Sequence, residues 1–252
     1  MTNINDYNVY NLGMKKSIRD KLFWEGLIDD HVIGMCDFGC ADGQLLKVVH
    51  SDFPEWELYG VDNDPKMAEL AKENNPDVVI CSRLRDVRSC VGLNILNISS
   101  VIHEIYSYCS DEEIDEFWHD VFSKEFRYIA IRDFMPSHNM NGVTDINDYH
   151  RLLSTASPQQ ISDFESVWGS LRDRKNMIHF LMKYRYTVNW SREVRENYFP
   201  ITIEDLFAKI PDKYEIVYFN HFILPFTREK IREDFNIELK ENTHIKLLLK
   251  RR

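Results

Sequence analysis

Short apolar runs alternate with amphipathic segments through the first half of this 252-residue chain. The runs have the length of buried strands, and the segments between them carry apolar residues at helical spacing. Five strands are predicted, at 32–38, 57–61, 78–81, 93–98 and 128–131. Helix starts fall between them, at Asp64-Pro65 and at a capping box formed by Ser110 and Glu113. This alternation favours an α/β fold with a parallel sheet covered on both faces.

The alternation stops after residue 138. Segment 139–201 predicts a polar loop followed by helices, with a capping signature at Ser157-Pro158 and a helical stretch at 176–184. Further helices are predicted near Thr202 and at 227–235, and strands at 214–224 and 243–250. The sequence thus divides into a sheet-forming part with an N-terminal helix (1–138), a helical insertion (139–201) and C-terminal strands that complete the sheet (202–252).

The turn between the first strand and the first helix has the sequence DFGCADG, which contains Asp37, Gly39 and Gly43. Glycine lets the backbone pass close to a ligand because no Cβ blocks the approach. Nineteen residues after Gly43, Asp62 follows the second strand, where an acid can accept hydrogen bonds from both hydroxyls of a ribose. Together these residues predict a nucleoside cofactor at the carboxyl ends of a parallel sheet.

The turn differs from that of a dinucleotide site, which has the form G-x-G-x-x-G. Here Ala41 stands two residues after Gly39, and Asp37 would repel a pyrophosphate. The D-x-G-x-x-x-G pattern, together with Asp62, resembles motif I of the class I S-adenosylmethionine-dependent methyltransferases. The resemblance covers about 30–138 and 201–252 and implies S-adenosylmethionine as the cofactor. It also implies a doubly wound, seven-stranded, mostly parallel sheet with an antiparallel last strand. The helical insertion after strand 5 lies outside the resemblance and is predicted from the sequence pattern alone.

Ligands of such sheets bind beyond the carboxyl ends of the strands, so the cofactor candidates are taken from there. The predicted cofactor-binding residues are Asp37, Gly39, Ala41, Gly43, Asp62, Asn63, Asp86, Val87, Asn97, Ser99 and Tyr10. The resemblance implies that Asp86 binds the adenine amino group; the alternative is a solvated acid paired with Arg85 or Arg88. Tyr7 or Tyr10 is expected to face the sulfonium in a cation–π contact of about 0.5–2 kcal/mol; the alternative is packing against the sheet edge.

Methyl transfer from sulfur requires alignment of the reacting atoms and, when the acceptor carries a proton, a general base. The candidate catalytic residues are His103 and Glu104, after strand 4, and Asp133, after strand 5. Histidine suits a phenol, carboxyl or hydroxyl acceptor near neutral pH. The structural alternatives are a histidine that supports the cofactor loop and a salt bridge between Arg132 and Asp133.

The net charge of −10 argues against a protein whose whole surface binds nucleic acid. No apolar stretch reaches the roughly 18 residues that span a bilayer, and the N-terminus lacks a signal-peptide pattern. The five cysteines form no C-x-x-C pair, which favours reduced thiols in a cytoplasmic protein. We expect no metal site and no membrane association, and the sequence predicts no oligomeric state.

The insertion is expected to select the acceptor. Between 171 and 195, seven basic residues stand with two acidic ones, and aromatic residues are interleaved with them. The predicted substrate-binding residues are Arg132, Tyr184, Tyr186 and Trp190. Such a segment can stack nucleic-acid bases, can hold an anionic aromatic small molecule, or can form a helical hairpin with inward aromatic rings and solvated arginines.

These features predict an S-adenosylmethionine-dependent methyltransferase that acts on an oxygen or nitrogen nucleophile of a small-molecule acceptor. Two alternatives stay open. One is a methyltransferase of RNA or another nucleic acid that uses the basic, aromatic insertion. The other is a non-catalytic protein that binds S-adenosylmethionine.

Overall fold

The computed structural model describes residues 18–87 and 94–252, so Tyr7, Tyr10 and Arg88 lie outside the described residues. The strands are β1 Gly34–Phe38, β2 Glu57–Val61, β3 Val79–Cys81, β4 Asn94–Ser99, β5 Tyr128–Phe134, β6 Tyr214–Phe222 and β7 His244–Arg251. They form one seven-stranded sheet in the order β3-β2-β1-β4-β5-β7-β6. Strands β1 to β5 pair in parallel, and β7 runs antiparallel between β5 and β6. The predicted sheet, with its antiparallel last strand, is confirmed.

The helices begin at the residues that local sequence favours. They are α1 Gln44–Asp52, α2 Pro65–Asn74, α3 Ile102–Tyr108, α4 Asp111–Ser123, α5 Ile146–Thr155, α6 Pro158–Trp168, α7 Arg174–Lys183, α8 Trp190–Glu193, α9 Ile203–Lys209 and α10 Pro225–Phe235. Asp64 caps α2 by accepting the amide of Lys66 at 2.8 Å. Ser110 and Glu113 form the predicted capping box at the start of α4.

Helices cover both faces of the sheet, as an α/β fold requires. Helices α3, α4 and α9 pack on one face, where Phe117 and Trp118 are buried. Residues 18–24 and α1 pack on the other face, where Trp24 and Leu46 are buried. Helices α6 and α7 of the insertion share a further core with α10. Within the described residues, no helix combines the length and the apolar character needed to cross a membrane.

Strand β5 is longer than the sequence predicted. The predicted strand ended at Ile131, which placed Arg132 and Asp133 in the following loop. In the structure β7 pairs with β5 as far as Phe134, opposite His244. The antiparallel ladder therefore holds Arg132 and Asp133 inside the strand, at its carboxyl end.

Candidate active site

The glycine turn joins β1 to α1 and folds back onto the end of β2. The amides of Gly39 and Cys40 donate to the carbonyl of Val61 at 2.8 and 3.1 Å. The φ angles of Gly39, Ala41 and Gly43 are +74°, +46° and +78°, in the region that favours glycine. The turn therefore depends on both glycines for its backbone conformation.

Gly39 also lies against α3, which follows β4. A Cβ built on Gly39 would lie 2.8 Å from Cγ2 of Val101, the residue that caps the N-terminus of α3. The sequence predicted that the missing Cβ of Gly39 makes room for a ligand. In the structure the side chain of Val101 occupies that position. The glycine turn and the start of α3 are thus in direct contact.

Asp62 follows β2 and faces the glycine turn. Its Oδ2 accepts the amide of Ala41 at 2.9 Å, and its Oδ1 accepts the amide of Asp64 at 2.9 Å. A carboxylate has about four lone-pair positions, so both oxygens can accept further hydrogen bonds. The adjacent Asn63 is exposed. Asp62 is thus held in place at the turn with free acceptor capacity.

Asp37 is buried at the end of β1 and is part of a chain of side-chain hydrogen bonds. It accepts Nδ2 of Asn97 at 2.8 Å, and Oδ1 of Asn97 accepts Nε1 of Trp24 at 3.1 Å. Burial raises the pKa of Asp37 to about 6, although the Asn97 hydrogen bond and the charge of Lys21 act in the opposite direction. Asn97 therefore links Trp24 to Asp37, which stands just before the glycine turn.

Arg132 holds the N-terminal segment at the end of β5. Its Nε donates to Oδ2 of Asp20 at 2.7 Å, and its Nη1 donates to Oγ of Ser100 at 3.1 Å. Ser100 has a φ of +60°, an uncommon conformation for a residue other than glycine. Arg132 thus pairs with Asp20, and not with Asp133 as the structural alternative supposed.

Asp133 bonds both to His103 and to the N-terminus of α3. Its Oδ1 lies 2.7 Å from Nδ1 of His103. Its Oδ2 accepts the amides of Val101 and Ile102 at 2.9 and 2.7 Å. A carboxylate at a helix N-terminus satisfies amides that have no partner within the helix and interacts favourably with the helix dipole. His103 is therefore held in one orientation, two residues after Val101, whose side chain lies against Gly39.

The two groups of this pair stabilise each other's charged forms. Burial lowers the pKa of His103, but the Asp133 carboxylate outweighs it, and the pKa is raised above its ordinary value. Burial raises the pKa of Asp133, but His103 and the backbone amides outweigh it, and this pKa is lowered. Among the described residues, no group hydrogen-bonds Nε2 of His103, whose side chain is 8% exposed. That nitrogen is the one available to a reacting group.

The insertion reaches the His103–Asp133 pair through Tyr198. The ring of Tyr198 stacks on Phe134 with centroids 4.2 Å apart, and it contacts the edge of His103 at 5.5 Å. Its hydroxyl donates to Glu193. Tyr198 was not singled out from the sequence, because no local pattern marks a contact between the insertion and β5.

Glu104 lies at the rim, next to charged groups of the insertion. Burial raises its pKa, and the charge of Glu196 adds to the effect. Nη2 of Arg192 lies 3.4 Å from Oε1 of Glu104, and Nε of Arg192 donates to Glu196 at 2.8 Å. Arg192 thus joins α3 to the insertion through two carboxylates.

Among the described residues, no hydrogen bond or ring contact joins the other predicted residues to His103 or Asp133. The hydroxyl of Tyr184 donates to Asp234 on α10 at 2.6 Å, Nε1 of Trp190 donates to Asp163 on α6 at 3.0 Å, and Tyr186 is 49% exposed. Asp86 is exposed in a short 3₁₀ helix after β3. Val87 is buried, and its carbonyl accepts Nζ of Lys124 at 2.9 Å.

No family model matches the sequence, and no curated protein matches it either. Solved structures do match. The plantazolicin methyltransferase BpumL, in complex with a pentazolic desmethylPZN analogue and SAH, aligns with 98% of this chain and 89% of its own, with a TM-score of 0.53 and 12% identity. BamL, with a triazolic analogue and SAH, aligns with 98% and 88%, with a TM-score of 0.52 and 12% identity. A SAM-dependent methyltransferase from Anabaena variabilis aligns with 94% and 84%, with a TM-score of 0.53 and 15% identity.

The chain therefore has the fold of the class I S-adenosylmethionine-dependent methyltransferases. The predicted resemblance is confirmed at the level of the fold, since these identities are too low to carry residue roles across. Two features of the residues at this edge of the sheet suit the cofactor. Asp62 has spare acceptor capacity, and Oγ of Ser99, at the end of β4, is buried without a partner among the described residues. Both suit a ligand rich in hydroxyl and amino groups.

Proposed function

We propose that the protein binds S-adenosylmethionine and transfers its methyl group to an oxygen or nitrogen atom of a small-molecule acceptor. One observation supports the proposal: Val101 links the His103–Asp133 pair to the glycine turn, since its side chain lies against Gly39 and its amide donates to Asp133. A proton-accepting group and a nucleoside-binding turn thus share one edge of the sheet. An oriented imidazole whose Nε2 has no partner among the described residues supports methyl transfer over cofactor binding alone.

Each residue then has a distinct part. Asp62 accepts the ribose hydroxyls, the glycine turn holds the methionine portion, and Asp37 faces the ligand's positive charge. When bound, the cofactor supplies a methyl group on a positively charged sulfur. Nε2 of His103 takes the proton that the acceptor oxygen or nitrogen loses, and Asp133 keeps the ring in the required orientation. Alignment of this kind supplies roughly 7–11 kcal/mol, and a general base roughly 10²–10⁴-fold.

The insertion favours a small acceptor over a nucleic acid. Phosphate binding needs basic side chains that are free to contact the backbone. At least three of the seven basic residues in this segment are engaged within the protein: Lys183 is fully buried, Arg192 pairs with Glu104 and Glu196, and Arg185 lies over the ring of Phe226. The aromatic rings of Phe180 and Trp190 pack inside the insertion. This arrangement matches the helical hairpin with inward rings better than a stacking surface.

Asp62→Ala tests the cofactor assignment. The variant should bind S-adenosylmethionine and its demethylated product S-adenosylhomocysteine at least tenfold more weakly by calorimetry, because hydrogen bonds to a charged group contribute about 1.5–3 kcal/mol each. Asp77→Ala removes an exposed acid between α2 and β3 and serves as the matched control. Equal affinities of the wild type and Asp62→Ala for these ligands would show that Asp62 does not bind the ribose.

The acceptor class is tested by following labelled methyl groups. The wild type is incubated with methyl-labelled S-adenosylmethionine and, separately, with the low-molecular-mass fraction, the total RNA and the protein fraction of a cell extract. Label should enter the low-molecular-mass fraction, and Asp62→Ala should transfer far less. Label in RNA alone would establish the nucleic-acid alternative, and cofactor binding without transfer to any fraction would favour the non-catalytic one.

A further inference from the structure

Lys21 is a half-buried cation at the carboxyl edge of the sheet, in the segment that precedes β1. Burial lowers its pKa, while the carboxylates of Asp37, Asp133 and Glu104 raise it and the Arg132 guanidinium lowers it. These groups come from the ends of β1 and β5 and from the start of α3. The ammonium of Lys21 thus lies within the field of the groups that form the proposed site.

The backbone around Lys21 is fixed on both sides. The preceding residue, Asp20, accepts Nε of Arg132 at 2.7 Å and also pairs with Lys246. Three residues later, the indole of Trp24 is buried and donates to Asn97, which donates to Asp37. The position of Lys21 is therefore set by the fold, with one anchor on β5 and another on β4.

Lys21 differs from its cationic neighbours because it has no partner among the residues that the structure describes. Arg132 and Lys246 are both paired with Asp20. For Lys21, no ion pair or side-chain hydrogen bond joins it to any residue in the described ranges. A half-buried ammonium without a partner loses part of its hydration, and no protein group compensates for the loss. A carboxylate of a bound ligand would compensate for it.

The amino-acid end of S-adenosylmethionine is a zwitterion, with one ammonium and one carboxylate. Asp37 offers a carboxylate for the ammonium, and a cation is needed for the other group. We propose that Lys21 binds the carboxylate of the cofactor's amino-acid end, so that Asp37 and Lys21 together recognise the zwitterion. This assignment rests on the proposed function. It makes residues 18–24 part of the cofactor site as well as a cover for the sheet.

The test compares two nucleosides that differ in the group Lys21 would bind. S-adenosylhomocysteine carries the amino-acid end, whereas 5′-methylthioadenosine has the same thioether nucleoside without it. Affinities are measured by calorimetry for the wild type, Lys21→Met, Lys21→Arg and the matched control Lys47→Met, which alters an exposed lysine on α1. Circular dichroism establishes that each variant is folded.

Lys21→Met should weaken S-adenosylhomocysteine binding roughly tenfold or more, the effect of losing one charge-assisted hydrogen bond, and should change 5′-methylthioadenosine binding less than about twofold. Lys21→Arg should retain most of the affinity, and Lys47→Met should match the wild type. Equal loss for both nucleosides would make Lys21 structural, and unchanged or tighter S-adenosylhomocysteine binding would overturn the assignment. A wild type that binds neither nucleoside would overturn the proposed function and this assignment together.

Discussion

Asp133 performs two tasks with the two oxygens of one carboxylate. Oδ1 holds His103, and Oδ2 accepts the first amides of α3. Because Asp133 raises the pKa of His103 against the effect of burial, the imidazole stays protonated to a higher pH than an ordinary histidine. Only the neutral ring can accept a proton, so methyl transfer should increase as the pH rises through this pKa.

Asp133→Asn should move that pKa in a known direction. The amide has the shape of the carboxylate and can still accept a backbone amide of α3, but it lacks the charge, so burial should dominate and lower the pKa of His103. The titration is followed by NMR of the imidazole Cε1 proton, identified by its absence in His103→Gln. The rising limb of the transfer rate should shift to lower pH by the same amount. An unchanged His103 titration would mean that Asp133 does not control the charge of the ring.

At the level of single residues, the sequence predicts site residues that stand in short local patterns, but it does not predict contacts between residues far apart in the chain. Asp37, Gly39 and Asp62 stand in short patterns, so the sequence predicts them as site residues. Asn97 was predicted from its place in strand 4, but its bonds to Asp37 and Trp24, 60 and 73 positions away, were not, because no pattern of that range is visible in one chain. The role of Val101 in filling the space beside Gly39 was missed for the same reason.

Among the elements, α7 is joined to the segment that follows it by a buried lysine. Nζ of Lys183 donates to the carbonyls of Glu193 and Glu196, and it lies 4.6 Å from the centroid of the Tyr198 ring. Burial lowers the pKa of Lys183 to about 7, although the charges of Glu196 and Glu193 act in the opposite direction. The ordinary value is 10.5, so the unfolded chain binds more protons between these two values.

The free energy of unfolding should therefore rise with pH between about 7 and 10.5, by up to roughly 1.4 kcal/mol per pH unit. Below about pH 7 both states are protonated, and this contribution becomes independent of pH. Lys183→Met, and Lys183→Arg with its permanent charge, should each lack the rise. Urea denaturation of the three proteins across this range isolates the effect, since all other groups titrate alike. A wild-type curve parallel to those of both variants would contradict the lowered pKa.

The same distinction between local and distant signals holds for elements. Helix starts at Asp64, Ser110 and Ser157 were predicted because a cap and its helix are adjacent in sequence. The end of β5 was not, because the extra length of this strand depends on pairing with β7, which lies more than a hundred residues later. Edge strand β6 was predicted to extend to residue 224 and ends at Phe222.

On the scale of the whole molecule, aromatic contacts couple the insertion to the sheet. Phe134, the last residue of β5, stacks on Tyr198 of the insertion, and both rings contact His103. The insertion core also includes Ile231 and Phe235 of α10, which lies between β6 and β7. The insertion thus contacts the rest of the protein both at the end of β5 and at α10. Because Tyr198 touches His103, the position of the insertion affects the orientation of the imidazole.

Tyr198→Leu should separate this positioning role from simple stability. Loss of the ring removes an aromatic pair of about 0.5–1.5 kcal/mol and releases one side of His103, so the maximal transfer rate should fall by more than tenfold while cofactor affinity changes less than about threefold. Tyr198→Phe keeps the stack on Phe134 and loses only the hydroxyl bond to Glu193, and its rate should stay close to that of the wild type. Both variants are first compared with the wild type by thermal unfolding, so that rates are measured on folded protein. If Tyr198→Phe loses as much activity as Tyr198→Leu, then the hydroxyl and Glu193 position the site, and the ring contact does not.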